Sequence, residues 1–397
     1  MIQRASYGVP HITARNFASL GFGTGYVQAE DNICLIAEQM VTVRAERSRW
    51  LGAEASNVSS DLLHQKAIDD QAAEQLLDGP RDGVRAPSTQ VRDQIRGFVA
   101  GYNAYLRDGK AITDPACAGK EWVRPISELD MWRAHWARMV LASSGALANG
   151  IVAAAPPTAS GNSGLASAPQ TAAVAAGVDG APAGLGSNAY GLGREATTSG
   201  AGMLLANPHF PWDGVERFYR MHLSRCPAGM TSRARRWLVT RLSRSATTAR
   251  SPGATPSPPP SGLSGTGWTW CSYHYDGQPR EDDRPYGHRS DSRGADQPHP
   301  LRHPLRSGRR GARSVRLDRH HGDAITDANA TNNRALDGWL AMGQARSVGE
   351  LRTVLDERQF LSWVNVIAVD RRGQALYADH SVVPRVTDSL AAACIPE

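Results

Sequence analysis

From residue 153 to 186 the chain reads AAAPPTASGNSGLASAPQTAAVAAGVDGAPAGLG, with no aromatic residue and a single charge. Such a composition buries too little apolar surface to offset the entropy of ordering, so it behaves as a connector and divides the chain into two folding parts. Patterned sequence returns abruptly at Ser187. SNAYGLG and GMLLAN are short apolar runs bounded by glycine, which predict strands.

Residues 1 to 152 predict a mostly helical part. QRASYGVPHITA suits a strand and AEDNICLIAEQMVTVRAERSRWLG a helix. Val91, Ile95, Phe98, Val99, Tyr102 and Leu106 recur at helical spacing, as do Leu129, Trp132, Trp136, Met139 and Val140, so both stripes are expected in a core. Glu30 and Asp31 in AEDN resemble an acid–base pair. Adjacent residues on a helix face different ways, so they are expected to be helix-end partners instead. Beyond the connector, VERFYRMHL predicts a strand, SVGELRTVLDERQFL a helix, and WVNVIAVDRRGQALYAD a hairpin turning at Arg371-Arg372-Gly373.

The chain has 397 residues, 41% of them apolar, enough for one large core or several ordinary ones. Its five cysteines show no CxxC or Cys/His ligand spacing, which argues against zinc. Cys34 and Cys117 can pair if the protein is exported, a point the sequence leaves open. No stretch is long and apolar enough for a membrane span, and the start at Met1 carries no export signal; the expectation is a cytoplasmic protein or a true start farther upstream.

Residues 231 to about 323 break the pattern. They hold 17 Arg against 8 Asp and Glu, a balance of +9 within a chain of net +6, so the remainder sums to −3. One reading is a basic, Arg-rich nucleic-acid-binding segment. Aromatic interleaving and a recognisable module are both missing from it. The chain also has 41 Arg against only Lys66, Lys110 and Lys120, a bias that GC-rich coding produces by itself.

YGVPHITA, GYVQAEDN and RAERSRWLG, followed in order by GSNAYGLG and LLANPHFPWDGVERFYRMHL, resemble the penicillin acylase family of N-terminal-nucleophile (Ntn) hydrolases. The wording is similar to the branch with aculeacin A acylase, lipopeptide acylases and acyl-homoserine-lactone acylases. The likeness covers 1–230 and resumes over 324–397 with DANATNNRALDGWLAMGQARS and VNVIAVDRRGQALYADHSVVPRV.

This resemblance implies an α+β fold, a four-layer αββα sandwich that is incomplete in this chain. It implies an α chain over 1–152, a removed spacer over 153–186 and a β chain opening at 187–230 and continuing, truncated, over 324–397. Autoproteolysis between Gly186 and Ser187 would free an α-amino group, with a reference pKa near 8, beside the Ser187 hydroxyl, so nucleophile and base share one residue. His209 in NPHF would assist around the nucleophile, and Asn188 would be positional. The implied reaction is hydrolysis of a small-molecule acyl amide, such as a penicillin, an acyl-homoserine lactone or a lipopeptide, without metal or cofactor. The implied partners are the α and β chains of one precursor, with no nucleic acid and no membrane, in a periplasmic or secreted setting. A serine hydrolase of the GxSxG kind is excluded by the absence of that motif around Ser187.

The resemblance also accounts for the anomalous middle. If each codon's last base is read with the first two of the next, Met230 and Thr231 give Asp. ATTARSPGATPSPPP at 246–260 then permits G-H-N-x-x-I-A-W-S-H-T-V-S-T-A, a family-like strand block with thirteen compatible positions. Residues 231 to about 323 are therefore expected to be out of frame and without a native fold, with YHYDGQP at 273–279 hinting at more than one indel. The strand HTVST would supply an oxyanion donor where Ser257 now stands, and a second donor, an Asn, would lie past Glu397. Losing one such donor typically costs about two to three orders of magnitude in rate. The chain as written is thus expected to be inactive.

Overall fold

A computed structural model of the chain describes residues 1–78, 86–149, 186–209, 214–215, 217–225, 236–239, 245–248, 268–272, 288–290, 296–298, 306–307 and 323–383. The first part opens with a hairpin of β1 (Ile2–Arg4) and β2 (Pro10–Ala14) rather than one strand. The turn between them passes through Gly8 at φ +77°, a conformation open to glycine. Helices α1 (Phe17–Val43), α2 (Arg47–Leu51), α3 (Ala55–Asp69), α4 (Ala72–Asp78), α5 (Thr89–Arg107) and α6 (Glu128–Val140) follow.

The two predicted stripes fall on α5 and α6. Val91, Ile95 and Tyr102 are buried on α5, and Met131, Trp132, Trp136, Met139 and Val140 on α6. Ser88 and Ser127 cap these helices; Ser127 and Asp130 form a reciprocal capping box. α1 starts twelve residues before the predicted AEDN helix, at Phe17 rather than Ala29. The reason is tertiary. Gly21 and Gly25 of α1 lie against Gly97 and Gly101 of α5 so closely that a β-carbon at any of the four would overlap a carbonyl oxygen of the facing helix. Glycine weakens an isolated helix, and here it admits a backbone-to-backbone contact that repays the loss. Cys34 of α1 and Cys117, before α6, form a disulfide with Cα atoms 5.4 Å apart, closing the pairing left open by sequence.

The second part opens with β3 (Gly186–Leu192) and β4 (Met203–His209), an antiparallel pair, and β5 (His222–Arg225). β5 runs parallel to β2 and joins it to β6 (Arg236–Val239) and β7 (Ser245–Thr248) in the sheet order β1-β2-β5-β6-β7. The backbone of β8 (Trp268–Ser272), β9 (His288–Ser290), β10 (Asp296–Pro298), β11 (Arg306–Ser307) and β12 (Asp323–Asp327) is also placed. Most of 231–323 lies outside the described residues. α7 (Ala335–Met342), α8 (Val348–Arg358) and the hairpin β13 (Asn365–Val369) and β14 (Ala375–Asp379) complete the fold, with the turn at Arg371-Arg372-Gly373 as expected.

Three layers are visible around this hairpin. Val366, Ala368 and Ala378 pack on one side with Leu351, Leu355 and Phe360 in a core with α7 and α8. On the other side Ile367 and Val369 meet β3, each with a methyl 3.1 Å from where a β-carbon on Gly191 would stand. Helices, one antiparallel pair and a second antiparallel pair are thus stacked.

Candidate active site

β3 begins where the connector ends. Gly186 pairs with His209, Ser187 with Pro208 and Asn188 with Asn207. Opposed residues in an antiparallel pair lie about 4.5–5.5 Å apart at Cα, so the backbone of His209 is held one register step from Ser187. Ser187 is 8% exposed, on the strand face that carries Gly191 against β13, whereas Asn188 is exposed on the other face. The side chain of His209 lies outside the described residues.

The Ser187 hairpin is fastened to β13–β14 by its connection. Arg194 N–H donates to the Gly373 carbonyl at 2.9 Å, and Gly202 N–H donates to the Asp370 carbonyl at 3.0 Å. The Asp370 carboxylate, 2% exposed, accepts from the N–H groups of Arg372 at 2.9 Å and Gln374 at 3.1 Å through Oδ1, and from Val348 N–H at 3.2 Å through Oδ2. One buried aspartate thereby ties the start of α8 to the turn that receives the Ser187 hairpin. Sequence reading used the turn and passed over this carboxylate, although Asp ahead of Arg-Arg-Gly is an ordinary turn-initiating signal.

A second missed aspartate joins the residues just before the connector to the far part of the chain. Asp327 Oδ2 accepts from Ser143 Oγ at 2.7 Å, Ser144 Oγ at 2.6 Å and Ser144 N–H at 3.1 Å. Ser143 and Ser144 stand just before the connector and Asp327 well beyond Ser187, so this bond set spans the expected cleavage point. Trp363 Nε1 adds a bond to the Arg138 carbonyl at 3.3 Å.

The AEDN motif lies where expected, at a helix end: non-helical Asn32 (φ −149°, ψ 36°) breaks α1 into two helical segments, and Glu30 and Asp31 close the first of them. Arg4 reaches both, Glu30 at 2.5 Å and Asp31 at 2.9 Å, because its planar fork spans neighbouring carboxylates that the helix break brings to one side. The Arg4 hydrogen bond holds the Glu30 carboxyl below its usual range. Tyr219 OH donates to Asp31 and Arg217 donates to Asn32, so the motif also grips the chain beyond the Ser187 hairpin. Burial, with that bond to Asp31, pushes the Tyr219 phenol up.

Among the described residues no group of three or more His, Cys, Asp and Glu side chains is placed to hold a metal ion. Nor is any helix among them long and apolar enough to cross a membrane.

The penicillin amidase family model matches residues 1–231 and 272–395. The chain belongs to the penicillin amidase family. Within it, the chain is 53% identical over 431 aligned residues to aculeacin-A acylase of Actinoplanes utahensis, with 100% of this chain and 51% of the relative covered. It is 32% identical to acyl-homoserine lactone acylase PvdQ of Pseudomonas fluorescens over 427 aligned residues, covering 99% of this chain and 52% of the relative. The chain therefore spans about half the length of these curated relatives. A thermostable penicillin G acylase from Alcaligenes faecalis overlaps 36% of this chain and 74% of its own, at 26% identity and a TM-score of 0.28.

Proposed function

We propose that this penicillin amidase family chain belongs to an acylase that cuts itself between Gly186 and Ser187 and then hydrolyses an acyl amide. The carrying observation is the placement of Ser187: buried, at the head of a strand that starts as the connector ends, with His209 in the adjoining register position. Before the cut, the Ser187 nitrogen is an amide and cannot accept a proton. After it, the freed amine takes the proton from Ser187 Oγ as that oxygen attacks the substrate carbonyl. The tetrahedral intermediate collapses, the C–N bond breaks, and the leaving amine departs with the proton. Water then adds to the acyl-enzyme, the same amine serves as base, and the acid is released.

Substrate class follows the names of the relatives. An aculeacin and an acyl-homoserine lactone are both acylated polar cores, so an amide joining an acyl chain to an amine-bearing core is the expected substrate. His209 would support the nucleophile and self-cleavage, and Asn188 the new terminus. The contacts of Asp327 with Ser143 and Ser144, of AEDN with Arg217 and Tyr219, and of β2 with β5 would hold the two pieces together without a peptide bond.

The finer fold is the four-layer αββα sandwich. Its support is the exposed side of the β3–β4 pair, where Tyr190, Leu192, Met203 and Leu205 are 40–66% exposed. An apolar sheet face of that kind requires a covering layer. The setting is outside the cytoplasm, supported by the Cys34–Cys117 disulfide, a bond rare in reducing compartments.

We further propose that the part of 231–323 outside the family match, about 232 to 271, is out of frame and that the chain as written lacks a working oxyanion hole. The family match ends at 231, which supports the upstream boundary, and resumes at 272, which favours a return to the printed frame before 323. The basic excess belongs to this segment, so DNA affinity is not part of the proposed function. Resequencing the locus and assaying a frame-repaired, full-length protein tests both statements. Splitting and deacylation after repair, both lost in Ser187→Ala, are expected; deacylation that survives Ser187→Ala contradicts the mechanism.

A further inference from the structure

Where α6 meets the chain between β12 and α7, three buried polar atoms have no hydrogen-bond partner among the described residues: Trp132 Nε1, His135 Nε2 and Asn332 Oδ1. Trp132 is fully buried, and His135 and Asn332 are each 1% exposed. Leaving such groups unpaired in an apolar interior is costly, so each calls for a partner. Their chemistry narrows what that partner is.

Trp132 and His135 are three residues apart on α6 and so share one face, with their rings edge to face and centroids 5.9 Å apart. The indole N–H can only donate. With Nε2 unpaired, the His135 bond to the Asn332 backbone is made by Nδ1, and it favours the protonated ring, as a bond donated to a carbonyl does. Burial keeps the imidazole neutral, so Nδ1 carries the proton and Nε2 keeps a lone pair. Asn332 Nδ2 donates to the Phe360 carbonyl at 2.8 Å, which assigns the other end of the amide as oxygen, an acceptor. One donor and two acceptors are left. A direct bond from Trp132 to either acceptor would leave the other unpaired. A water molecule accepts one bond and donates two, and two bonds of about 2.8–3.0 Å through it span roughly 5 Å. We propose that a single buried water fills this joint, accepting from Trp132 Nε1–H and donating to His135 Nε2 and Asn332 Oδ1.

A metal ion or an ammonium suits the place less, because neither can accept from the indole and all three side chains are uncharged. The position gives the water its role. α6 precedes the connector and Asn332 lies well beyond Ser187, while Ala330, Leu336 and Leu340 beside Asn332 pack on the core of the helical part. The water is thus a polar link between the two parts of the chain inside an apolar contact. It does not depend on a cut at Gly186–Ser187, so its failure leaves the proposed function untouched.

Nuclear magnetic resonance of the full chain at pH 7.5, with tryptophan and histidine isotopically labelled, tests it. Through-bond correlations from the backbone assign both rings in the native chain, so no variant has to fold. Long-range proton–nitrogen correlations are expected to show His135 protonated at Nδ1 and bare at Nε2. The two carbon-bound protons that flank Nε2 do not exchange with solvent, and both are expected to give dipolar cross-peaks to water. The Trp132 indole proton is expected to give the same, with the rotating-frame sign of a bound water rather than that of chemical exchange. A proton on Nε2, a His135 ring without cross-peaks to water, or an indole proton that touches a protein acceptor instead of water would overturn the site.

Discussion

His135 shows what burial alone does to a side chain. It is 1% exposed on α6, with the Trp132 ring 5.9 Å away edge to face, and burial pushes its imidazole down to about 4 against a weaker opposing bond to the Asn332 backbone. Unfolded, the same ring protonates near 6.5. Between those values the unfolded chain binds the extra proton, so the stability conferred by neutral His135 is fully present above about 6.5 and is lost as pH falls toward 4. His64 shifts the same way, also through burial. Denaturant titrations at pH 7 and pH 5 are expected to differ by about 2 kcal/mol from His135. His135→Leu flattens this slope; an unchanged slope would show that the ring is already charged in the fold.

Elements were legible in the sequence wherever apolar spacing alone decides the structure. The stripes on α5 and α6, the α8 helix behind its Ser347 cap and the β13–β14 turn at Gly373 all follow from local pattern. Three elements differ from the local pattern, each because a distant partner or a chain reversal decides it. α1 begins early because Gly21 and Gly25 lie against the Gln94 and Phe98 carbonyls of α5, and Gly97 and Gly101 against the Ala18 and Phe22 carbonyls of α1, contacts that no local rule can foresee. β5 shares only His222 and Leu223 with the predicted VERFYRMHL strand and runs on to Arg225, since Arg217 and Tyr219 turn to Asn32 and Asp31. The β1–β2 hairpin divides at Gly8, where positive φ reverses the chain. At the candidate site, the composition break drew attention to Ser187, and Asp370 carried a local turn signal that went unused; its bond to Val348 and the bonds of Asp327 to Ser143 and Ser144 act across more than twenty residues and carried no pattern. Gly97→Ala should therefore cost about 1–3 kcal/mol by forcing α1 and α5 apart. In contrast, Gly349→Ala, in α8 where an added β-carbon would meet only Ser347 Oγ at an ordinary 3.8 Å, should gain about 0.5–1 kcal/mol. Thermal unfolding of the two variants distinguishes close helix contact from a general intolerance of alanine.

At the scale of the whole molecule, the first part is cross-linked while the second depends on its contacts with the first. Cys34 and Cys117 are 83 residues apart, so their bond removes a large share of unfolded-chain freedom, worth about 4 kcal/mol in the loop-entropy picture. Cys34→Ser with Cys117→Ser should lower the unfolding midpoint of the helical part by that order, and dithiothreitol should do the same to the native chain. Equal midpoints with and without reductant would remove the support this bond gives to a non-cytoplasmic setting. The two-part construction matters most under the proposed cut at Gly186–Ser187, where paired strands, the Asp327 bonds and the AEDN contacts would have to replace a peptide bond. The most direct measurement is the amino-terminal sequence of the larger fragment from a frame-repaired, full-length protein. Ser-Asn-Ala-Tyr-Gly, beginning at Ser187, is the predicted result; a single uncut chain that still deacylates, or a fragment starting anywhere else, would contradict it.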